Sequence, residues 1–121
     1  MDFLKRPIEE YDSVKTWFEG LRVQSGLEPA GDPSRLRLLT EFCTFVELDP
    51  DEVVAACLLI KDGRETKISI KGRRAMAEKV AEFQARDADA SPGERARRGN
   101  TIRSFLIHNG ILLQSGMQVC P

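Results

Sequence analysis

Residues 91–110 read Ser91-Pro92-Gly93-Glu94-Arg95-Ala96-Arg97-Arg98-Gly99-Asn100-Thr101-Ile102-Arg103-Ser104-Phe105-Leu106-Ile107-His108-Asn109-Gly110. This stretch carries its own start and stop signals. Ser91 is a good helix N-cap, Pro92 suits the first helical position, and Glu94 stands three residues after the cap, in a capping-box arrangement. At the far end Asn109-Gly110 offers a residue that tolerates positive φ just past the last turn, and Ile111 is positioned for the accompanying apolar contact. Between the signals, Ala96, Gly99, Ile102, Phe105 and Leu106 predict a core-facing stripe. On the opposite side of the wheel stand Arg97, Asn100, Thr101, Ser104 and His108, flanked by Arg98 and Arg103. That face has donors and no carboxylate. Exposed helices ordinarily mix charge signs, whereas phosphates and base edges call for Arg, Asn, Thr and Ser.

Working outward, four more helices are predicted. One covers about 8–22, with Val14, Trp17, Phe18 and Leu21 in one stripe and Asp12 or Ser13 able to cap a shorter version. Gly26, Pro29, Gly31 and Pro33 mark a loop. A second covers about 34–47, capped by Ser34, with a broad apolar face from Leu36, Leu38, Leu39, Phe42, Cys43, Phe45 and Val46. A third starts at Asp49-Pro50-Asp51-Glu52, where cap, N1 proline and two first-turn acids agree. It continues through Val53, Val54, Ala56, Cys57, Leu58 and Ile60. A fourth, about 70–86 behind Ser69, aligns Met76, Val80 and Phe83. Between the third and fourth, Asp62-Gly63 lies between Leu58-Leu59-Ile60 and Lys67-Ile68-Ser69-Ile70 and also fits a β-hairpin. A lone two-stranded hairpin is marginal in water, and the preceding residues continue a well-capped helix, so a simple turn is expected. The pattern predicts an all-α fold: a compact bundle of four to five helices.

The chain has 121 residues, which suits one domain. No apolar run reaches the ~18 residues of a membrane span, and the N-terminus lacks a signal-peptide pattern. Three cysteines without CxxC spacing, two of them in apolar helical patterns, point to free thiols and a cytoplasmic setting. Net charge is −1, but it is unevenly distributed. Residues 1–60 hold six Lys/Arg against twelve Asp/Glu, and residues 61–121 hold twelve against seven. A nucleic-acid binder needs only one basic face. Lys71, Arg73 and Arg74 would extend the basic surface of the last helix, although Arg73 could instead lie along the core.

Catalytic patterns are missing from the sequence. There is one histidine, no zinc-finger spacing, and no Walker A, GxGxxG or GxSxG motif. No metal, cofactor or catalytic residue is expected. His108 in the last turn of a helix suits the helix dipole, with a phosphate contact as the alternative. The acids Glu9, Glu10, Asp51 and Glu52 stand at helix starts, where the dipole accounts for them.

The order of these features resembles the N-terminal core-binding, SAM-like domain of tyrosine recombinases, the phage-integrase family. The match rests on Trp17-Phe18 with Leu21, on Ser34 through Phe42 and Phe45, and on Leu48-Asp49-Pro50-Asp51-Glu52. Phe83 and the run Thr101-Ile102-Arg103-Ser104-Phe105 to Asn109-Gly110-Ile111-Leu112-Leu113 complete it. It covers about 8–115. The chain departs from the family in having Leu38 and Leu39 where an aromatic is common. Its stretch 61–71 is also longer and more basic. The resemblance implies a core-binding domain over 1–115, with 116–121 opening a linker to a catalytic domain absent from this chain. It implies half of a C-shaped clamp on duplex DNA, serving DNA integration or recombination beside other recombinase protomers, and no cofactor. The family's second and last helices face the major groove. This implies Ser34, Arg35 and Arg37 as contacts, besides the residues of the last helix. Its catalysis needs arginines, a lysine, histidines and a nucleophilic tyrosine. The single tyrosine here, Tyr11, lies in the first helix, so no enzymatic activity is expected. The competing readings are a small helical protein-interaction module without DNA binding and an enzyme of unrecognised type.

Overall fold

The structure is a computed structural model and describes Leu4 and residues 6–26, 33–61, 65–86 and 89–111. Its order is a 3-10 turn at Ile8–Glu10, α1 (Asp12–Ser25), α2 (Pro33–Val46), α3 (Pro50–Ala56), β1 (Leu58–Lys61), β2 (Glu65–Ile68), α4 (Ile70–Ala85) and α5 (Pro92–His108). The fold is mostly helical, and no helix among the described residues is long and apolar enough to cross a membrane.

The expected caps form at α3, α4 and α5, although at α5 the described bond is the Ser91 half of the expected box; α2 begins at Pro33, which puts Ser34 inside its first turn rather than at the cap. Asp49 accepts from the Glu52 amide at 2.8 Å, and the Glu52 carboxylate accepts from the Asp49 amide at 2.9 Å, closing a complete capping box on α3. Ser69 caps α4 and Ser91 caps α5 through their hydroxyls. At the end of α5 the Gly110 amide donates to the Ile107 carbonyl and the Ile111 amide to the Leu106 carbonyl, with Gly110 at φ +89°. This is a Schellman ending, and its apolar closing residue, Ile111, is fully buried. The first helix departs from expectation. A 3-10 turn precedes it, and Tyr11 stands at its N-cap position, where its side chain does not cap the helix amides. The Ser13 amide is instead satisfied from another element, by the Asp51 carboxylate of α3 at 3.0 Å.

The hairpin is the main correction. Helix α3 stops at Ala56, and Leu58–Lys61 pairs antiparallel with Glu65–Ile68, in the register Leu58↔Ile68 to Lys61↔Glu65. The intervening Asp62-Gly63-Arg64 lies outside the described residues. Tertiary support offsets the weakness of an isolated ribbon. Buried Cys57 and half-buried Leu58 anchor its base in the core, and the Ser69 amide donates to the Cys57 carbonyl at 2.9 Å. Ser69 then caps α4, so one residue closes the ribbon and opens the next helix.

The core gathers Val14, Trp17 and Phe18 of α1, Leu39, Phe42 and Cys43 of α2, and Val53 of α3. From α4 and α5 it takes Met76, Val80, Phe83, Ile102, Phe105 and Leu106. Trp17 and Phe105 meet edge to face at 5.4 Å, as do Phe42 and Phe83 at 5.2 Å. Of the side chains expected inside, Ala96 is exposed and Phe45 sits at the margin, 36% exposed. Both thiols of the core are free and buried; Cys120 lies outside the described residues.

Two predictions follow from local chemistry. Glu47, just past α2, takes φ +62°, while the Leu48 amide donates to the Cys43 carbonyl. Left-handed geometry costs a residue with a Cβ about 1–2 kcal/mol. Glu47 is exposed, so Glu47→Gly is expected to stabilise the fold by about 1 kcal/mol net of added chain entropy. A lowered urea midpoint would contradict this. Burial pushes the Cys43 thiol up to about 12, with Asp49 and Glu52 adding to the effect. Burial also pushes Cys57 up to about 11, partly offset by Arg73. A raised folded-state value stabilises fully below the unfolded thiol's pKa and is lost as pH climbs through the folded values. Stability should therefore fall between about pH 9 and 12, and less steeply in a Cys43→Ala, Cys57→Ala variant. Equal slopes in urea unfolding across that range would count against it.

Candidate nucleic-acid interface

The amino-terminal halves of α2 and α5 lie side by side. Arg97 of α5 donates to the Ser34 hydroxyl in the first turn of α2 at 3.3 Å. Around this junction runs an open cleft of about 400 Å³, lined by Arg35, Arg97, Asn100, Thr101 and Ser104, with Gly93 and Ala96 at one end and Trp17 and Leu21 as its apolar wall. Arg97 and Asn100 are exposed, and Arg35, Thr101 and Ser104 are half-buried. The exposure of Ala96, unexpected for a core residue, is explained by its place in the cleft.

A second hollow of about 300 Å³ adjoins the first through Arg97. Arg37, Arg86 and Arg98 line it, together with Leu38, Glu41 and Glu94. Arg86 donates to Glu41 at 2.8 Å, and its guanidinium stacks on Phe83 at 4.5 Å. Arg86 had no signal in the sequence, because its partner Glu41 lies 45 residues away in the chain. This hollow thus holds two glutamates against four arginines, and of these Arg37, Glu41 and Arg86 come from other elements that the face of α5 alone did not reveal.

The proposed face of α5 divides along its length. Its carboxy-terminal half turns towards α1 rather than outwards. Ser104 accepts from the Trp17 indole at 3.1 Å. His108 packs its ring on Gly20, where a Cβ would collide with it. His108 Nδ1 lies 2.9 Å from the Ser104 carbonyl oxygen, and Nε2 lies 3.2 Å from Gln24 Oε1. The Asn109 amide donates to the Ser13 carbonyl at 3.0 Å and the Phe105 carbonyl at 2.8 Å. Ser104 and His108 therefore help hold α5 on α1. The glycine that permits this approach belongs to another helix, so a wheel of α5 alone could not anticipate it.

Arg98 is only 8% exposed, so most of its side chain is withdrawn from solvent. Arg103 is half-buried beside α4, donating to Gln84 Oε1 at 3.1 Å and to the Asn100 side-chain oxygen Oδ1 at 3.3 Å. Burial pulls its guanidinium below the ordinary arginine value. Through Asn100 it orients a cleft side chain. Lys71, Arg73 and Arg74 belong to a different place. Gly72 of the same turn packs on the Ala56 carbonyl of α3, and Arg73 is half-buried near Cys57. The length of α4, about 22 Å from Lys71 to Arg86, separates them from the hollow at its other end.

Tyr11 is buried, with the Arg6 guanidinium 5.0 Å from its ring centre. Among the described residues no group of three or more His, Cys, Asp or Glu is arranged to hold a metal ion. No protein-family model matches this chain, and neither a curated protein nor a solved structure matches it.

Proposed function

We propose that the chain is a duplex-DNA-binding domain of the core-binding, SAM-like type, serving a tyrosine recombinase in DNA integration or recombination. The observation that carries the reading is the junction of the α2 and α5 amino-terminal halves. It gathers Arg35, Arg97, Asn100 and Thr101 around one open cleft, with Ser34 bonded to Arg97 and Arg37 in the adjoining hollow. Arginine serves phosphate and guanine alike, and asparagine is matched to adenine. The helical bundle and the sequence resemblance support the same reading. The domain binds and positions DNA, in the cytoplasm and beside other recombinase protomers. Strand cleavage is left to a catalytic domain elsewhere, since buried Tyr11 is unsuited to attack a phosphate.

Binding to a duplex of about 30 base pairs, followed by fluorescence anisotropy, tests it. The expected dissociation constant is micromolar or weaker for half of a clamp, and log K should fall with log[salt] by about 0.9 per phosphate contact. Folded protein in excess that shows no binding at low salt would overturn the reading in favour of a protein-interaction module.

A further inference from the structure

The hollow beside the α2–α5 cleft is built differently from the cleft itself. The cleft is open and has an apolar wall, whereas the hollow is the more enclosed of the two and is ringed by charge. Arg37 of α2, Arg86 just after α4, and Arg97 and Arg98 of α5 line its 300 Å³ together with Glu41 and Glu94, a net +2. Arg86 is committed to Glu41 at 2.8 Å and stacked on Phe83, which fixes its guanidinium in the wall. Arg37, Arg97 and Arg98 then stand against Glu94. Arg98 is 8% exposed, and buried Leu38 belongs to the same lining.

A charge contact strengthens as the surrounding dielectric falls. An anion entering the hollow therefore meets in Arg98 a cation that attracts it more strongly than a surface arginine does. The fork of N–H donors on arginine matches the geometry of a phosphate. A backbone phosphate carries one negative charge, which the hollow accommodates with Glu94 in place. Arg97 also lines both cavities. A phosphate in the hollow is thus held next to the cleft, and phosphate contacts fix register while base contacts specify sequence. We infer that the hollow is a phosphate seat. It takes one backbone phosphate of the bound duplex on Arg37, Arg97 and Arg98, and so sets the register in which Asn100 and Thr101 meet the bases. The inference rests on the DNA-binding reading above and deepens it.

Two exposed residues of the lining, Arg37 and Glu94, provide variants of opposite sign. Anisotropy is read on a duplex of about 30 base pairs at several salt concentrations, with Tm measured in parallel. Arg37→Gln is expected to bind about tenfold more weakly at low salt, as for the loss of one charge-assisted hydrogen bond. Its salt slope should be shallower by about 0.9. Glu94→Gln is expected to bind a few-fold more tightly, because a charge that repels the phosphate is gone. Damage to the fold would weaken binding in both, so the opposite signs separate a seat from a structural role. Folded variants that both bind like the parent overturn the inference and leave the cleft reading standing. A parent chain that binds no DNA overturns both. Arg98 is followed in the parent chain itself, through the NMR signal of its Nε–H group. The chain is titrated at constant ionic strength with the duplex and, separately, with inorganic phosphate. A saturable shift with the duplex is the expected result. A shift with inorganic phosphate alone makes the hollow a site for free phosphate and overturns its assignment to the backbone. No shift with either, while the duplex binds, overturns the inference as well.

Discussion

Phe105→Ala is expected to destabilise the protein by about 3–5 kcal/mol, the range for truncating a buried phenylalanine. Phe105 is fully buried where α5 meets α1, and its ring lies edge to face with the fully buried Trp17. Truncation removes transfer energy and the aromatic contact together. It also opens a cavity that cannot collapse easily, because the Trp17–Ser104 and Asn109–Ser13 hydrogen bonds hold the two helices in place. Urea unfolding measures the loss, and a cost below about 1 kcal/mol would show that the α1–α5 crossing is not packed as described. Phe105 does not line the cleft. Under conditions where the variant remains folded, its DNA affinity should therefore match the parent's.

Arg97→Ala should have the opposite signature. Arg97 is exposed, and its one described bond, to Ser34, is long and exposed. Surface substitutions usually change stability by no more than about 0.5 kcal/mol, so Tm should barely move while DNA binding weakens. If Arg97 meets a phosphate, all sequences lose alike and the salt slope shallows by about one unit. If it reads a guanine, the loss is about 1–3 kcal/mol and falls on one position of the site. Ser104→Ala provides the contrast on the same helix. It leaves the buried Trp17 indole without its acceptor, which costs about 1–3 kcal/mol of stability and should leave the salt slope unchanged. A panel in which Arg97→Ala, Asn100→Ala and Thr101→Ala all bind like the parent would remove the cleft from the interface.

Much of the candidate site was legible because its parts are local. Arg97, Asn100 and Thr101 share a face by helical period alone, and a carboxylate-free run needs no partner to be noticed. The pairing of this face with Ser34, Arg35 and Arg37 came from the family resemblance, and the structure brings those residues together. Arg98, Ser104 and His108 looked equivalent to their neighbours, yet contacts from other elements draw them inward. A helical wheel assigns angles without saying which angles another helix will cover. Arg86 and Gln84 were missed for the same reason, since their roles depend on Glu41 and Arg103 across the bundle.

By itself, the sequence determined where α3, α4 and α5 begin and how α5 ends. Asp49 with Glu52, Ser69, Ser91 and the Asn109-Gly110-Ile111 ending act within a few residues, and their chemistry is complete before any tertiary contact forms. The same is true of the apolar stripes through Trp17, Phe42, Val80 and Ile102. The tertiary structure decided two matters that local preference left balanced. Leu58–Ile68 could continue a helix or pair as a ribbon, and anchoring of Cys57 and Leu58 in the core tips the balance towards pairing. The polar face of α5 could meet solvent along its whole length, and Gly20 of α1 lets that helix approach and cover the half bearing Ser104 and His108. In both cases the deciding energy is burial shared between segments distant in the chain, which acts only once those segments have met.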